Sequence, residues 1–131
     1  MELPAQTDRT TAIQDLRAQI REFVAERDWE KYHHPKNLAM SIAIEAAELM
    51  EHFQWLSADE CQAEIERPET RAQVEDELAD VLIYALAFAN ATGTDISQIV
   101  RRKMGVNQKR FPASEVHGTL GRGDGRRRST P

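Results

Sequence analysis

Apolar residues along most of this chain recur every three or four positions, the spacing that lines one face of an α-helix, and no strand-like alternation persists. Ile13, Leu16, Ile20, Phe23 and Val24 predict a first helix, opened by a Thr11-x-x-Gln14 capping box. A second is predicted from Pro35, a proline suited to a first helical turn, to about Trp55. Ser57-x-x-Glu60 predicts the cap of a short connecting helix that ends before Pro68. A third long helix follows from about Glu69 to Asn90, stopped by Gly93. Ile96, Ile99, Val100 and Met104 mark a fourth, ending before Phe111-Pro112. The pattern predicts an all-α fold of about four main helices plus the short connecting one, in one domain over residues 1–112.

Beyond Pro112 the pattern stops. Residues 113–131 hold most of the glycines, the run Arg126-Arg127-Arg128 and only two large aliphatics, Val116 and Leu120. Such a segment buries too little surface to offset its conformational entropy, which predicts a disordered Gly/Arg-rich tail.

Composition narrows the function classes. The formal net charge of -5 argues against a protein whose main work is neutralising nucleic-acid phosphates. A single cysteine, Cys61, excludes an intramolecular disulfide and fits a reducing compartment. No signal peptide is visible, and the longest apolar run, Val81 to Ala89, is under half of the roughly 20 residues that span a bilayer. A soluble cytoplasmic protein without membrane or stable nucleic-acid partners is expected. The charge is unevenly spread: the stretch from Glu45 to Asp80 is strongly acidic, and that from Val81 to Pro112 is basic.

Part of that acid falls where a helix should be apolar. At about 100° per residue, with Glu45 at zero, Leu38, Leu49 and Ile42 fall at roughly +20° to +60°, and Ser41, Glu48 and His52 at about -60° to -20°. With Glu77 at zero, Val81, Phe88 and Val74 take the same positive angles, while Asp80 and Tyr84 fall at about -60° and -20°. Two helices thus each carry a carboxylate pair at i, i+3 on the edge of the face to be buried. These could be ordinary surface acids, as Glu51, Glu75 and Asp76 are read. Two pairs together favour a metal cage, because buried unpaired carboxylates are costly and repel one another. Oxygen-only ligands favour Mg²⁺, or Mn²⁺, over zinc. Di-iron carboxylate bundles place histidine at the i+3 position, where this chain has Glu48 and Asp80. Hydrolysis is therefore expected rather than oxygen chemistry.

On the fourth helix Lys103, Asn107 and Arg110 share a face with Ile96, either snorkelling over the core or holding nucleotide phosphates. Trp29 lies in the first loop and Trp55 at the end of the second helix; with Tyr84 they could form an aromatic wall beside the carboxylates, or plug the core. His33 and His34 flank that loop, with either a base edge or backbone as partner.

Read together, the run Glu26 to Leu38, the segment Glu45-Ala-Ala-Glu48 through Phe53-Gln-Trp55, the segment Glu75-Asp-Glu77-Leu-Ala-Asp80 to Tyr84, and the ending Lys103 to Pro112 resemble the MazG-like all-α nucleoside triphosphate pyrophosphohydrolases, and within them the dCTP pyrophosphatase branch. The resemblance covers roughly Ile13 to Pro112. It implies that Glu45, Glu48, Glu77 and Asp80 hold Mg²⁺ and carry catalysis. It implies that Trp29, Trp55 and Tyr84 line a base and sugar pocket, with His33 and Asn37 also binding substrate, and that Lys103, Asn107 and Arg110 lie near the phosphates. Where animal dCTP enzymes of this branch carry a histidine nine residues before the loop tryptophan, this chain has Ile20. The resemblance also implies a homodimer or homotetramer with pockets completed across subunits. The expected activity is Mg²⁺-dependent hydrolysis of dCTP or a related pyrimidine deoxynucleotide to monophosphate and pyrophosphate. A pyrophosphohydrolase for dUTP or phosphoribosyl-ATP, or a non-catalytic helical interaction module, stands as the alternative.

Overall fold

The structure, a computed structural model, describes residues 5–119, and all its regular elements there are helical. They fall into two compact units, one ending at Thr94 and one beginning at Asp95. The first contains α1 (Ile13–Glu26), a 3₁₀ turn (Glu30–Tyr32), α2 (Pro35–Glu51), α3 (Ala58–Glu66) and α4 (Pro68–Thr92). The second contains α5 (Ile96–Arg110) and the single turn α6 (Ala113–Val116). The segment read as a disordered tail therefore opens with a helical turn, and its residues 120–131 lie outside those described.

Local chemistry accounts for most helix ends. Pro35 and Pro68 occupy first turns, where a missing N–H leaves no bond unmade. Ser57 Oγ accepts the Glu60 N–H at 3.2 Å, and Asp95 caps α5 by accepting the Gln98 N–H at 2.9 Å. Gly93 closes α4 in the left-handed region, φ 65°. The start of α1 differs from the expected Thr11 box. The N–H groups of Thr10 and Thr11 both bond to the Thr7 carbonyl, so the preceding turn takes Thr11 and the helix opens at Ala12. There Asp15 Oδ2 reaches back to accept the Ala12 N–H at 3.1 Å. α2 stops four residues short of Trp55, because the Phe53 and Gln54 N–H groups both turn back to the Met50 carbonyl.

α4 is the centre of the first unit: α1, α2 and α3 each pack on it. Its buried Ala87 and Ala89 lie about 200° apart around the axis, so its C-terminal half is covered on opposite sides by small residues that let neighbours approach. Val24 of α1, Leu38 of α2 and Val74 complete the buried apolar set. No basic residue sits in the last turn of α4, and α1 supplies the missing positive charge. Arg17 donates to Asn90 Oδ1 at 3.0 Å and to the Thr94 carbonyl at 2.7 Å, Arg21 donates to the same Asn90 oxygen at 3.1 Å, and Asn90 donates back to the Arg17 carbonyl. At the other end Glu64 accepts from Arg67 and Thr70, each at 3.0 Å, tying α3 to the start of α4. Those hydrogen bonds, Thr70 first and then Arg67, hold the Glu64 carboxyl below its ordinary 4.5.

No helix among the described residues is long and apolar enough to cross a membrane.

Candidate metal centre and adjoining groove

Packing of α2 on α4 brings the two carboxylate pairs together. Glu45, Glu48 and Glu77 each offer an oxygen within 4.8 Å of the others. Asp80 adds its negative charge from the next turn of α4, felt by both Glu45 and Glu77. Glu45, Glu77 and Asp80 are half-buried, while Glu48 is exposed. One oxygen of each inner carboxylate, Glu45 Oε2 and Glu77 Oε2, is shut off from solvent and has no hydrogen-bond partner. Partial burial first, then the closeness of Glu48 and the charges around them, raise both carboxyls above the ordinary 4.5; His52 opposes this slightly at Glu77. No arginine or lysine pairs with either group among the ion pairs of the described residues. Converging carboxylates with orphaned, buried oxygens and no paired arginine or lysine among the described residues are a donor set that suits a hard divalent ion.

On one side the cluster opens into a depression of about 540 Å³ lined by Glu48, Glu51, His52, Gln73, Asp76 and Glu77. On another, Asp80 borders a groove of about 660 Å³ between α1 and α4, whose walls include Ile20, Phe23, Trp29, His33 and Tyr84. Of the residues expected to bind substrate, Trp29, His33 and Tyr84 thus share one groove with a carboxylate of the cluster. His33 and Tyr84 also line a shallower recess of about 310 Å³ with Asn37 and Ser41. The Asn37 amide donates to the Tyr32 carbonyl at 3.0 Å, so it fixes the loop that carries His33.

Trp55 is not among the residues of that groove. It lies in the turn after α2, 86% exposed. Lys103, Asn107 and Arg110 lie on α5 in the second unit, one helical face apart by four and three residues. The Arg110 guanidinium rests 5.1 Å from the centroid of the Phe111 ring. The contribution of α1 to the groove, through Leu16, Gln19, Ile20 and Phe23, went unread in the sequence, where the apolar stripe of α1 looked like core alone. Gln19 lies about 40° beyond the edge of that stripe at Phe23, so the spacing carried no signal of an opening.

Comparisons with known proteins converge. Residues 40–122 match the MazG-like family. The chain is 41% identical over 107 residues to dCTP pyrophosphatase 1 of Mus musculus, covering 82% of this chain and 63% of that protein. The Homo sapiens protein of the same name is 42% identical over 101 residues, covering 77% and 59%. The chain therefore matches less than two thirds of the length of these mammalian relatives. A crystal structure of a pyrophosphatase from Archaeoglobus fulgidus superposes with a TM-score of 0.72 at 41% identity, covering 85% of this chain and 99% of that one. The match from residue 40 onward takes in both carboxylate pairs, and with the agreement in fold it places the chain in the MazG-like family.

Proposed function

We propose that the protein is a Mg²⁺-dependent nucleoside triphosphate pyrophosphohydrolase, acting on dCTP or a related pyrimidine deoxynucleotide and releasing monophosphate and pyrophosphate. The observation that carries this reading is the pair of buried, partnerless oxygens, Glu45 Oε2 and Glu77 Oε2, in a cluster whose fourth carboxylate, Asp80, borders an aromatic groove. Glu45, Glu48, Glu77 and Asp80 are the residues to hold Mg²⁺, with Mn²⁺ as a substitute. A bound divalent ion supplies charge neutralisation for the phosphates and a more acidic water. With the ion held by these carboxylates, Glu48, the exposed member, would accept the proton of the water that attacks the α-phosphorus. Trp29 and Tyr84 offer the groove's aromatic surfaces to a base, with His33 near its edge. The name carried by the mammalian relatives, dCTP pyrophosphatase 1, supports cytosine as the first base to try.

The same reading makes residues 1–112 the catalytic domain and residues 113–131 an appendage. In it Lys103, Asn107 and Arg110 meet the outer phosphates, Trp55 and Asn37 complete the substrate contacts, and the protein works in the cytoplasm as a homodimer or homotetramer. Half-exposed Leu78 and Leu82, about 40° apart around α4, support assembly, since neighbouring large aliphatics call for a cover. Incubation with each deoxynucleoside triphosphate, with Mg²⁺ and with chelator, tests the proposal. Metal-dependent pyrophosphate release, greatest with a pyrimidine, is expected. No turnover of any nucleotide would leave a non-catalytic helical module as the better reading.

A further inference from the structure

Asp28 is the one non-glycine residue with a positive φ, 53°, among those described. Its place explains why. α1 ends with the Asp28 N–H on the Ala25 carbonyl at 3.0 Å and the Trp29 N–H on the Val24 carbonyl at 3.1 Å. That pair of bonds is the Schellman motif, whose left-handed position is usually glycine. Aspartate is among the few other residues that tolerate it. Reversal of the chain at Asp28 sends the Trp29 ring back toward α1, edge-on to Phe23 at 5.9 Å and 71°.

Further contacts hold the reversal. The Arg27 guanidinium covers the Phe23 ring at 3.7 Å and donates to the Phe23 carbonyl at 3.0 Å. Lys31 pairs with Asp28 at 2.9 Å. The Trp29 carbonyl accepts the Tyr32 N–H at 2.9 Å, so the backbone of Trp29 is bonded at both its donor and its acceptor. Yet the side chain stays 44% exposed and forms part of the groove wall that holds Tyr84 and Asp80. An indole fixed this firmly without being buried is a surface prepared for a flat partner.

We propose that the left-handed turn at Asp28 is a positioning device: it sets the Trp29 ring as a preformed wall of the groove, and thereby sets the affinity for the nucleotide base. This rests on the reading of the groove as a base site. Asp28 touches no substrate; it acts through the direction it gives the chain.

The test compares Asp28→Gly, Asp28→Asn, Asp28→Ala and Asp28→Val. In a Trp55→Phe background Trp29 is the only tryptophan, so its emission reports its surroundings without any nucleotide. Glycine and asparagine accept the left-handed turn and should keep both the parent emission and a KM for dCTP within about twofold, measured in the otherwise native chain. Valine does not accept it; only a fraction of molecules then holds the ring in place, so emission shifts red and KM rises about tenfold while kcat stays constant. Alanine, a milder strain, should fall between and serves if the valine variant does not fold. Parent-like emission and KM in both Asp28→Ala and Asp28→Val would overturn the proposal, as would failure of Asp28→Gly to rescue. If the native chain hydrolyses no nucleotide the functional reading falls, and the emission comparison still decides whether the turn sets the ring.

Discussion

Truncating Leu38 to alanine should be among the most damaging single changes in the helical core. Leu38 is 2% exposed, the largest side chain essentially removed from water, and it sits in the first turn of α2. It lies two turns before Glu45 and within about 20° of it around the axis, so it anchors the face that presents the inner carboxylate. Buried Leu→Ala changes cost about 2–5 kcal/mol, rising with the volume of the cavity left behind. Leu38 also borders the recess of about 310 Å³, into which water can follow the lost atoms. The low end is therefore expected, about 2–3 kcal/mol. At about 4 °C per kcal/mol for a domain of this size, the melting temperature should fall by roughly 8–12 °C. Urea unfolding followed by helical circular dichroism at fixed protein concentration, with an unchanged m-value, gives the free energy directly. A loss below about 1 kcal/mol would refute the claim that Leu38 locks α2 onto α4. Leu78→Ala, at a half-exposed position, is the control. If it costs as much as Leu38→Ala, that face is covered by another subunit, and stability should then rise with protein concentration.

Further outcomes follow from the site. Without metal, Glu45→Gln and Glu77→Gln should each raise the melting temperature at neutral pH, because each removes a charge the fold disfavours; both should lose Mg²⁺-dependent stabilisation and turnover. The same raised carboxyls predict a pH dependence. Above 4.5 the unfolded groups ionise before the folded ones, so stability falls as pH rises through the folded values, and calorimetry should find the metal-free protein more stable near pH 5 than near pH 7.5 by a margin that shrinks in the double glutamine variant. Glu64 acts with opposite sign, its contribution being lost only as pH falls through a value below 4.5. Gly93→Ala should cost about 1 kcal/mol in chemical unfolding: a Cβ there meets nothing within 4 Å, so backbone strain at φ +65° acts alone.

The helices and both carboxylate pairs could be read in the sequence because their causes are local. A proline, a serine or a glycine at a helix end acts on its own turn, and the helical repeat fixes which residues share a face. The groove was harder to see, since its wall on α1 depends on where two helices lie in space. Ile20 and Phe23 carry the same pattern whether they pack into a core or line an opening. The two tryptophans show the same limit. Trp29 is turned into the groove by a left-handed aspartate, which no spacing announces, whereas Trp55 closes no helix and stands in solvent. The Thr11 box failed to a local competitor, the turn that begins at Thr7.

Whether the carboxylate cluster directs water to the α-phosphorus of a nucleoside triphosphate is measured most directly by hydrolysis of dCTP with Mg²⁺ in ¹⁸O-labelled water, with the products resolved by mass. One pyrophosphate per monophosphate is expected, with the label in the monophosphate, and no turnover in Glu45→Gln. Orthophosphate as the product, or label in the pyrophosphate, would contradict it.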